Sequence, residues 1–411
     1  MMRQRMIINT AVALAWTLTL PSTLLAQRDR PAVQLPDGEA KTIVEGTCAA
    51  CHRLDFIPNS RGYTHEDWEA LIGTMITLPG ETNDSVVGYL AEHFPKKPGT
   101  DPMLISGPVN VNISEWIAPT LGSRPHDPYP AADGSIWWTG QFANRLGRVD
   151  PVTGAKQEFP LETANSGPHG LQEDSSGNIW FTAVSQDYVG KLDPSTGDVT
   201  EYHVPEGRGP HTPTIDQQGT VWFTMQSGHV GRIVPDTEEM TISATPTSGT
   251  YPYGIKVNSQ GVPWYVDFRG NRVGSIDPDT AEITEYELPN PESRPRRIAL
   301  TPDDAVWYTD YPRGYLGRFD PETGDVQEWA SPGGPESLPY GIAAIDDVIW
   351  YVETFSRPNT LVRFDTQTER FQSWVIPSGG GVVRHMEATP DGNLVLACSA
   401  VNRVALVEIE T

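Results

Sequence analysis

From about residue 120 the chain alternates apolar and polar positions in short runs, and one run keeps returning after a glycine turn. It reads Gly134-Ser135-Ile136-Trp137-Trp138, Gly177-Asn178-Ile179-Trp180-Phe181, Gly219-Thr220-Val221-Trp222-Phe223 and Gly261-Val262-Pro263-Trp264-Tyr265. It recurs as Val306-Trp307-Tyr308, Ile349-Trp350-Tyr351 and, without the indole, Leu394-Val395-Leu396. The steps are 43, 42, 42, 43, 43 and 45 residues. Each unit holds four strand-like parts, as in Gly170–Glu173, the Trp run, Tyr188–Asp193 and, after the turn Pro194-Ser195-Thr196-Gly197, Val199–Pro205. A period in the forties with several short strands per unit is the mark of propeller blades. Seven markers predict seven blades over residues 110–411. The seventh unit stops at a third strand, Arg403–Glu408, while Val111–Pro119 carries the fourth-strand pattern ahead of the first unit. The strand at 111–119 is therefore predicted to complete the last blade, hiding edges that would otherwise invite aggregation.

Residues 27–95 follow a helical period instead. Asp37 is placed to cap a helix running to about Thr47. Thr64 caps a second helix, with Asp67 in its first turn. There Trp68, Leu71, Ile72 and Met75 recur at i, i+3, i+4 and i+7 as one apolar stripe. A third helix is predicted from Thr82 or Asn83 to Pro95, carrying Val86, Val87, Leu90 and Phe94. Residues 96–109 read as a linker, and the run from Pro95 to Pro102 as an extended, exposed hinge. The fold expectation is thus two domains, a small all-α domain followed by an all-β seven-bladed propeller.

Ahead of both, residues 1–26 have Arg3 and Arg5, an uncharged run from Met6 to Leu20 and a small residue, Ala26, before Gln27. That is a cleavable secretory signal, too short to favour a permanent span, and it predicts a periplasmic protein with no membrane helix after cleavage. The formal charge is −24, and losing Arg3 and Arg5 makes it −26. Such a balance argues against nucleic acid or anionic membrane as partner, and it suits steering of a basic redox protein.

The sharpest chemical signal is Cys48-Ala49-Ala50-Cys51-His52. In an exported chain, C-x-x-C-H reads as covalent attachment of haem c through Cys48 and Cys51, with His52 as an axial ligand of the iron. Zinc would call for a second C-x-x-C or an H-x-x-x-H, and a redox disulfide for a βαβ unit; none is present. Cys398 is the third cysteine, so no further pair remains for a disulfide within the chain. Met75 is the expected sixth ligand, a thioether that raises the potential. His65 and His93 are rivals, and plain packing is the other fate of Met75. The stretch resembles a short class I cytochrome c, with C-x-x-C-H, a Trp helix ending in Met, and a helix ending Tyr89-Leu90-x-x-x-Phe94.

Counting back eleven residues from each Trp gives His126, His169, His211, Tyr253 and Arg296; ten residues back in the last two units gives Tyr340 and His385. Equivalent positions point to one place, expected to be the mouth of the central channel. The four histidines would form one arc there, able to hold a metal or supply a general base; equally, a Pro-His or Pro-Tyr pair can be a structural habit of each blade. Three residues after each marker stand Gly140, Ala183, Met225, Asp267, Asp310, Glu353 and Cys398. Arg296 with Asp267, Asp310 and Glu353 would bind a polar substrate or pair among themselves.

Pro-His-Gly and Pro-Tyr-Gly, Ile-Trp-Phe-Thr, Val-Gly-Arg-Ile-like third strands and Glu-Tyr-x-x-Pro fourth strands resemble the virginiamycin B (streptogramin) lyase family over 110–411. That resemblance implies a propeller and, in the family, opening of a cyclic lactone by elimination with Mg²⁺. Its catalytic blade combines an inner-strand His, a Glu after the Trp strand and a second His two residues on. No blade here repeats that set: His126 is followed by Gly140 and Phe142, His169 by Ala183 and Ser185, His211 by Met225 and Ser227, His385 by Cys398 and Ala400. Glu353 has Tyr340 before it and Phe355 after. The expected function is therefore electron transfer by haem c, with the propeller binding a small-molecule substrate or redox protein. The alternatives are a lyase of the family's carbon–oxygen type and a non-catalytic binding propeller with a cytochrome relay. The candidate propeller residues are His126, His169, His211, His385, Arg296 and Glu353, with Mg²⁺ or a second metal at the mouth as a further expectation. No phosphate loop, nucleophile elbow or H-E-x-x-H occurs.

Overall fold

A computed structural model describes residues 34–49, 54, 56–59, 62–96 and 99–410. The signal, Cys51 and His52 fall outside the described residues, and so does the side chain of Met75. Seven four-stranded antiparallel sheets form the propeller. In blade one the strands run Pro125–Pro130, Ile136–Gly140, Arg145–Val149 and Lys156–Pro160, from the channel outward. The seventh sheet is built from both ends of the repeat region: Asn110–Ile117 pairs antiparallel with Arg403–Glu410, from Asn110 opposite Glu410 to Ile117 opposite Arg403. The ring closes as the pattern at 111–119 foretold.

The repeated residues have repeated tasks. Each Trp is buried and, in blades one, two, four, five and six, stacks on the fourth-strand aromatic of its own blade, with ring centres 5.3–5.6 Å apart. Trp180 and Trp222 also donate their indole N–H to Asp174 and Asp216, at 2.9 and 2.8 Å. The third-strand glycine lies under the next aromatic: a Cβ on Gly274 would sit 2.3 Å from the Tyr265 ring. The threonine two residues after Trp joins neighbouring blades. Thr139, Thr182, Thr224 and Thr309 donate to the carbonyls of His169, His211, Tyr253 and Tyr340 at 2.6–2.8 Å. The same hydroxyls accept the backbone N–H of Asp127, Gly170, Thr212 and Arg297 in their own blades.

Among its described residues the helical segment has four helices, Lys41–Cys48, Phe56–Asn59, His65–Met75 and Gly80–His93. Thr64 Oγ1 accepts the N–H of Asp67 at 3.1 Å, as its capping role requires. Asp37 instead stands outside its helix and pairs with Lys41. The last helix begins three residues earlier than Asn83, where Pro79 sets its first turn. Val44, Trp68, Ile72, Val86, Val87 and Leu90 make a separate small core. Among the described residues no helix is long and apolar enough to cross a membrane.

The chain between the two parts does not hang free. Thr100 bridges Ser356 and accepts the Arg357 N–H at 3.0 Å. Ile105 exchanges bonds with Ser373, accepting its N–H at 3.0 Å and donating to its hydroxyl at 2.9 Å, and Val109 accepts from Gln372. Residues 99–109 are thus an extended, largely exposed strap along blade six, held where the backbone finds hydrogen bonds at Thr100, Ile105 and Val109.

Candidate functional site

The innermost strand of each blade carries a bulge. Its register slips between Pro125 and Pro128, Pro168 and Leu171, and at the matching place in all seven blades. Two consecutive residues of each blade are therefore delivered to the channel. The upper tier is His126, His169, His211, Tyr253, Arg296, Tyr340 and Arg384. The second tier beneath it is Asp127, Gly170, Thr212, Gly254, Arg297, Gly341 and His385.

His385 was expected in the upper tier, and the register corrects that. Val383 faces Cys398 just as Pro339 faces Glu353 and Pro295 faces Asp310, so the residue after it, Arg384, takes the mouth position. Blade six alone is shortened, by a tight turn that pairs Ile345 with Val348. In blade seven Arg384 still lies eleven residues before Val395. Glu353, Asp267 and Asp310 do not meet Arg296 either. They pin the loops leading into the inner strands. Glu353 accepts from Ser331 and Gly333 N–H, both at 2.6 Å, Asp267 from Tyr251 N–H at 2.8 Å, and Asp310 from Arg294 N–H at 3.0 Å.

The upper tier is a continuous arc of rings followed by a caged cation. Ring centres of His126 and His169 lie 3.9 Å apart, those of His169 and His211 3.6 Å, and those of His211 and Tyr253 4.1 Å. The Arg296 guanidinium then lies over Tyr340 at 3.7 Å, Tyr311 at 4.2 Å and Phe268 at 4.5 Å. The Tyr253 and Tyr340 hydroxyls are bonded to each other. Below, ion pairs cross the channel. Arg297 of blade five holds both oxygens of Asp127 in blade one, at 3.1 and 2.7 Å. Lys256 of blade four reaches Glu387 of blade seven at 2.6 Å, and His385 Nε2 meets the same carboxylate at 2.9 Å. The mouth itself is a cavity of about 1210 Å³.

That cavity is cationic. Arg124, Arg269, Arg296 and Arg384 line it, and no Asp or Glu does among the described residues. Burial, reinforced by Arg384 and Arg124, pushes His126 well below the ordinary imidazole range. Burial also holds His169 and His211 down, helped by neighbouring imidazoles for His169 and by Arg297 for His211. All three are neutral at pH 7 and weaker bases than free imidazole. Burial, with Arg384 beside it, brings Arg124 down to about 9. For Tyr340 burial opposes ionisation, but Arg296, Arg384 and Arg297 outweigh it and lower its pKa. His126, Asp127 and His169 do bring ligand atoms within 4.8 Å of one another. Both Asp127 oxygens are already taken by Arg297, however, and the surrounding charge is positive, which disfavours Mg²⁺ or a second metal there.

The helical segment roofs this cavity. Ala49 and Leu54, the described residues on either side of 50–53, line it together with the upper tier. Cys48 is half-buried at the end of its helix. His65 is exposed at a helix start, and His93 leans on the Tyr89 ring, 4.5 Å between centres.

A seven-bladed propeller with a ring-lined and cationic mouth is the class of protein these features define. The sequence profile of the virginiamycin B lyase family matches residues 108–332 and 282–411, together the whole propeller, and the chain belongs to that family. A solved streptogramin B lyase is 26% identical, with a TM-score of 0.67 over 73% of this chain and 98% of that one. Virginiamycin B lyase from Staphylococcus aureus is 23% identical, with a TM-score of 0.66 over 72% and 99%. Hydrazine synthase of Kuenenia stuttgartiensis is 15% identical, with a TM-score of 0.59 over 69% and 95%. The last two share the fold alone at that identity. No curated protein sequence matches the chain. The family match begins at residue 108, so it leaves the helical segment and its cysteines unassigned.

Proposed function

We propose that this chain is an exported c-type haem protein whose propeller mouth is the reaction chamber, a small molecule being oxidised or reduced there. The observation that supports this reading is the presence of Ala49 and Leu54, the described residues that flank the motif in sequence, on the wall of the cavity at the propeller mouth. The residues present suit the group. The cavity exceeds the ~300–1,000 Å³ that encloses a drug-sized ligand, leaving room for a macrocycle edge and a substrate together. Phe142, Tyr251 and Phe268 offer flat apolar walls, and the Nε atoms of Arg296 and Arg384 are buried without a partner, as sites for carboxylates would be. Cys48 and Cys51 would hold the haem, with His52 and Met75 as the axial ligands. A bound haem supplies one-electron chemistry. The chain's own residues would close the chamber to water, orient the substrate against the ring arc and stabilise negative charge through the arginines. A basic redox protein, drawn by the acidic exterior, would carry the electron to or from it.

Membership of the lyase family favours a second reading, carbon–oxygen bond cleavage by elimination, and the comparisons with known proteins weigh on that side. Against it, no blade carries the family's His, Glu and His set, and Glu353, the one Glu at the position three residues after the marker, is buried and bonded to the Ser331 hydroxyl and Gly333 N–H rather than lining the cavity. One experiment separates the two. Full-length protein is made in a host that matures c-type haem, and its reduced-minus-oxidised spectrum is recorded with and without candidate substrates. Haem bands that respond to substrate support the redox reading. Colourless protein with both thiols titratable sinks it, and product formation by the Cys48→Ser/Cys51→Ser variant establishes the lyase.

A further inference from the structure

Arg145, Arg272, Arg297, Arg313, Arg318 and Arg363 each face a carboxylate, as expected in a chain where acids outnumber bases 53 to 29. Arg296 and Arg384 break the pattern. No carboxylate lies within 4.0 Å of either among the described residues, and the Nε of each is buried without a hydrogen bond. Arg296 has only the Tyr253 hydroxyl near it, at 3.4 Å, and the faces of four aromatic rings. Half-buried cations kept from partners, in an acidic protein, cost stability unless an anion completes them. The same mouth carries an aromatic arc, the His126, His169 and His211 rings with centres 3.6–3.9 Å apart and planes tilted by 40–45° to one another.

We propose that the mouth is a carboxylate site for a planar, conjugated acid, with Arg296 and Arg384 taking the carboxylate and the ring arc taking the plane. This rests on the mouth being the functional cavity but not on haem being bound, because two sources fit: a free aromatic acid, or the propionates of a haem seated above. Arg124 adds a third positive charge to the cluster.

The test uses full-length Cys48→Ser/Cys51→Ser protein, with no haem tether, and calorimetric titration with benzoate and with neutral methyl benzoate. Benzoate is expected to bind and the ester to bind at least tenfold more weakly, with Arg384→Gln and Arg296→Gln each costing benzoate at least tenfold. The thermal transition of each variant checks folding; should Arg296→Gln not fold, Arg384→Gln and Arg384→Lys carry the test, the lysine restoring charge but not the fork. The same titration is then run on unsubstituted protein from the haem-maturing host. Undiminished benzoate affinity assigns the site to a free acid. Exclusion of benzoate, with an Arg384→Gln shift in the pH titration of the haem bands, assigns it to propionates. Benzoate that does not bind the tether-free protein, or that binds no better than its ester, overturns the proposal. Colourless unsubstituted protein that still binds benzoate overturns the haem reading alone.

Discussion

Replacing Asp127 by Asn keeps its shape and removes its charge. In the native protein Asp127 and Arg297 cross the channel from blades one and five, with side chains only 2% and 1% exposed and a bidentate contact at 2.7 and 3.1 Å. The variant leaves the Arg297 guanidinium buried with no counter-charge, a change that costs about 3–5 kcal/mol. An unfolding entropy of about 2.1 cal/mol/K per residue, taken over roughly 300 residues of propeller, converts this to a fall in Tm of about 5–8 °C. Scanning calorimetry at pH 7 reads it directly. The pH dependence has a definite sign. Burial opposes ionisation of Asp127, but the charge of Arg297, with His385 and His169, wins and lowers its pKa. The pair's contribution is therefore complete above the unfolded carboxyl pKa of about 3.9 and is lost as pH falls through the lower folded value. The gap between native protein and variant should shrink in that acid range. The double variant Asp127→Leu/Arg297→Met removes both charges and should recover most of the loss. An Asp127→Asn protein melting within about 1 °C of the native one at pH 7, or a double variant worse than the single, would refute the reasoning.

Three further outcomes follow from the blades. Gly274→Ala puts a methyl 2.3 Å from the Tyr265 ring and should destabilise by about 1–3 kcal/mol, measured by chemical denaturation. Glu387→Gln breaks the bond to Lys256 and His385 and should cost about 1–3 kcal/mol at neutral pH. Burial opposes the Glu387 charge but Lys256 pulls its pKa down to about 2, so that cost should fade as pH drops from about 4.3 toward 2. Deleting residues 110–117 strips the outer strand from Arg403–Glu410, and size-exclusion chromatography should show aggregate or oligomer in place of monomer.

The blades and the closing strand were legible because a sheet's period of two and a fixed turn chemistry survive in every unit. The threonine two residues after Trp in four of the units could also be read as a repeat, though its task of joining blades could not, since that bond crosses to the next unit. Arg384 was missed because blade seven has Val383 where other blades have Pro. With that marker gone, the shortening of blade six was wrongly extended to blade seven, and His385 was raised one tier. The cationic cluster at the mouth escaped notice for a different reason. Arg124, Arg296 and Arg384 are 172 and 88 residues apart in sequence, and only ring closure makes them neighbours. The acids Asp267, Asp310 and Glu353 were expected to join Arg296 at a substrate or in an ion-pair cluster, whereas a carboxylate at that place caps backbone N–H groups of the preceding loop.

The seventh sheet has a consequence for how the molecule comes into being. Asn110–Ile117 leaves the ribosome early and must wait nearly three hundred residues for Arg403–Glu410. So distant a pairing makes the final stitch slow, on the scale of milliseconds to seconds for comparable β-rich chains. A product stalled after six blades would be no smaller disc but a crescent with two raw margins. Cellular quality control therefore meets either a finished ring or an unmistakably defective one.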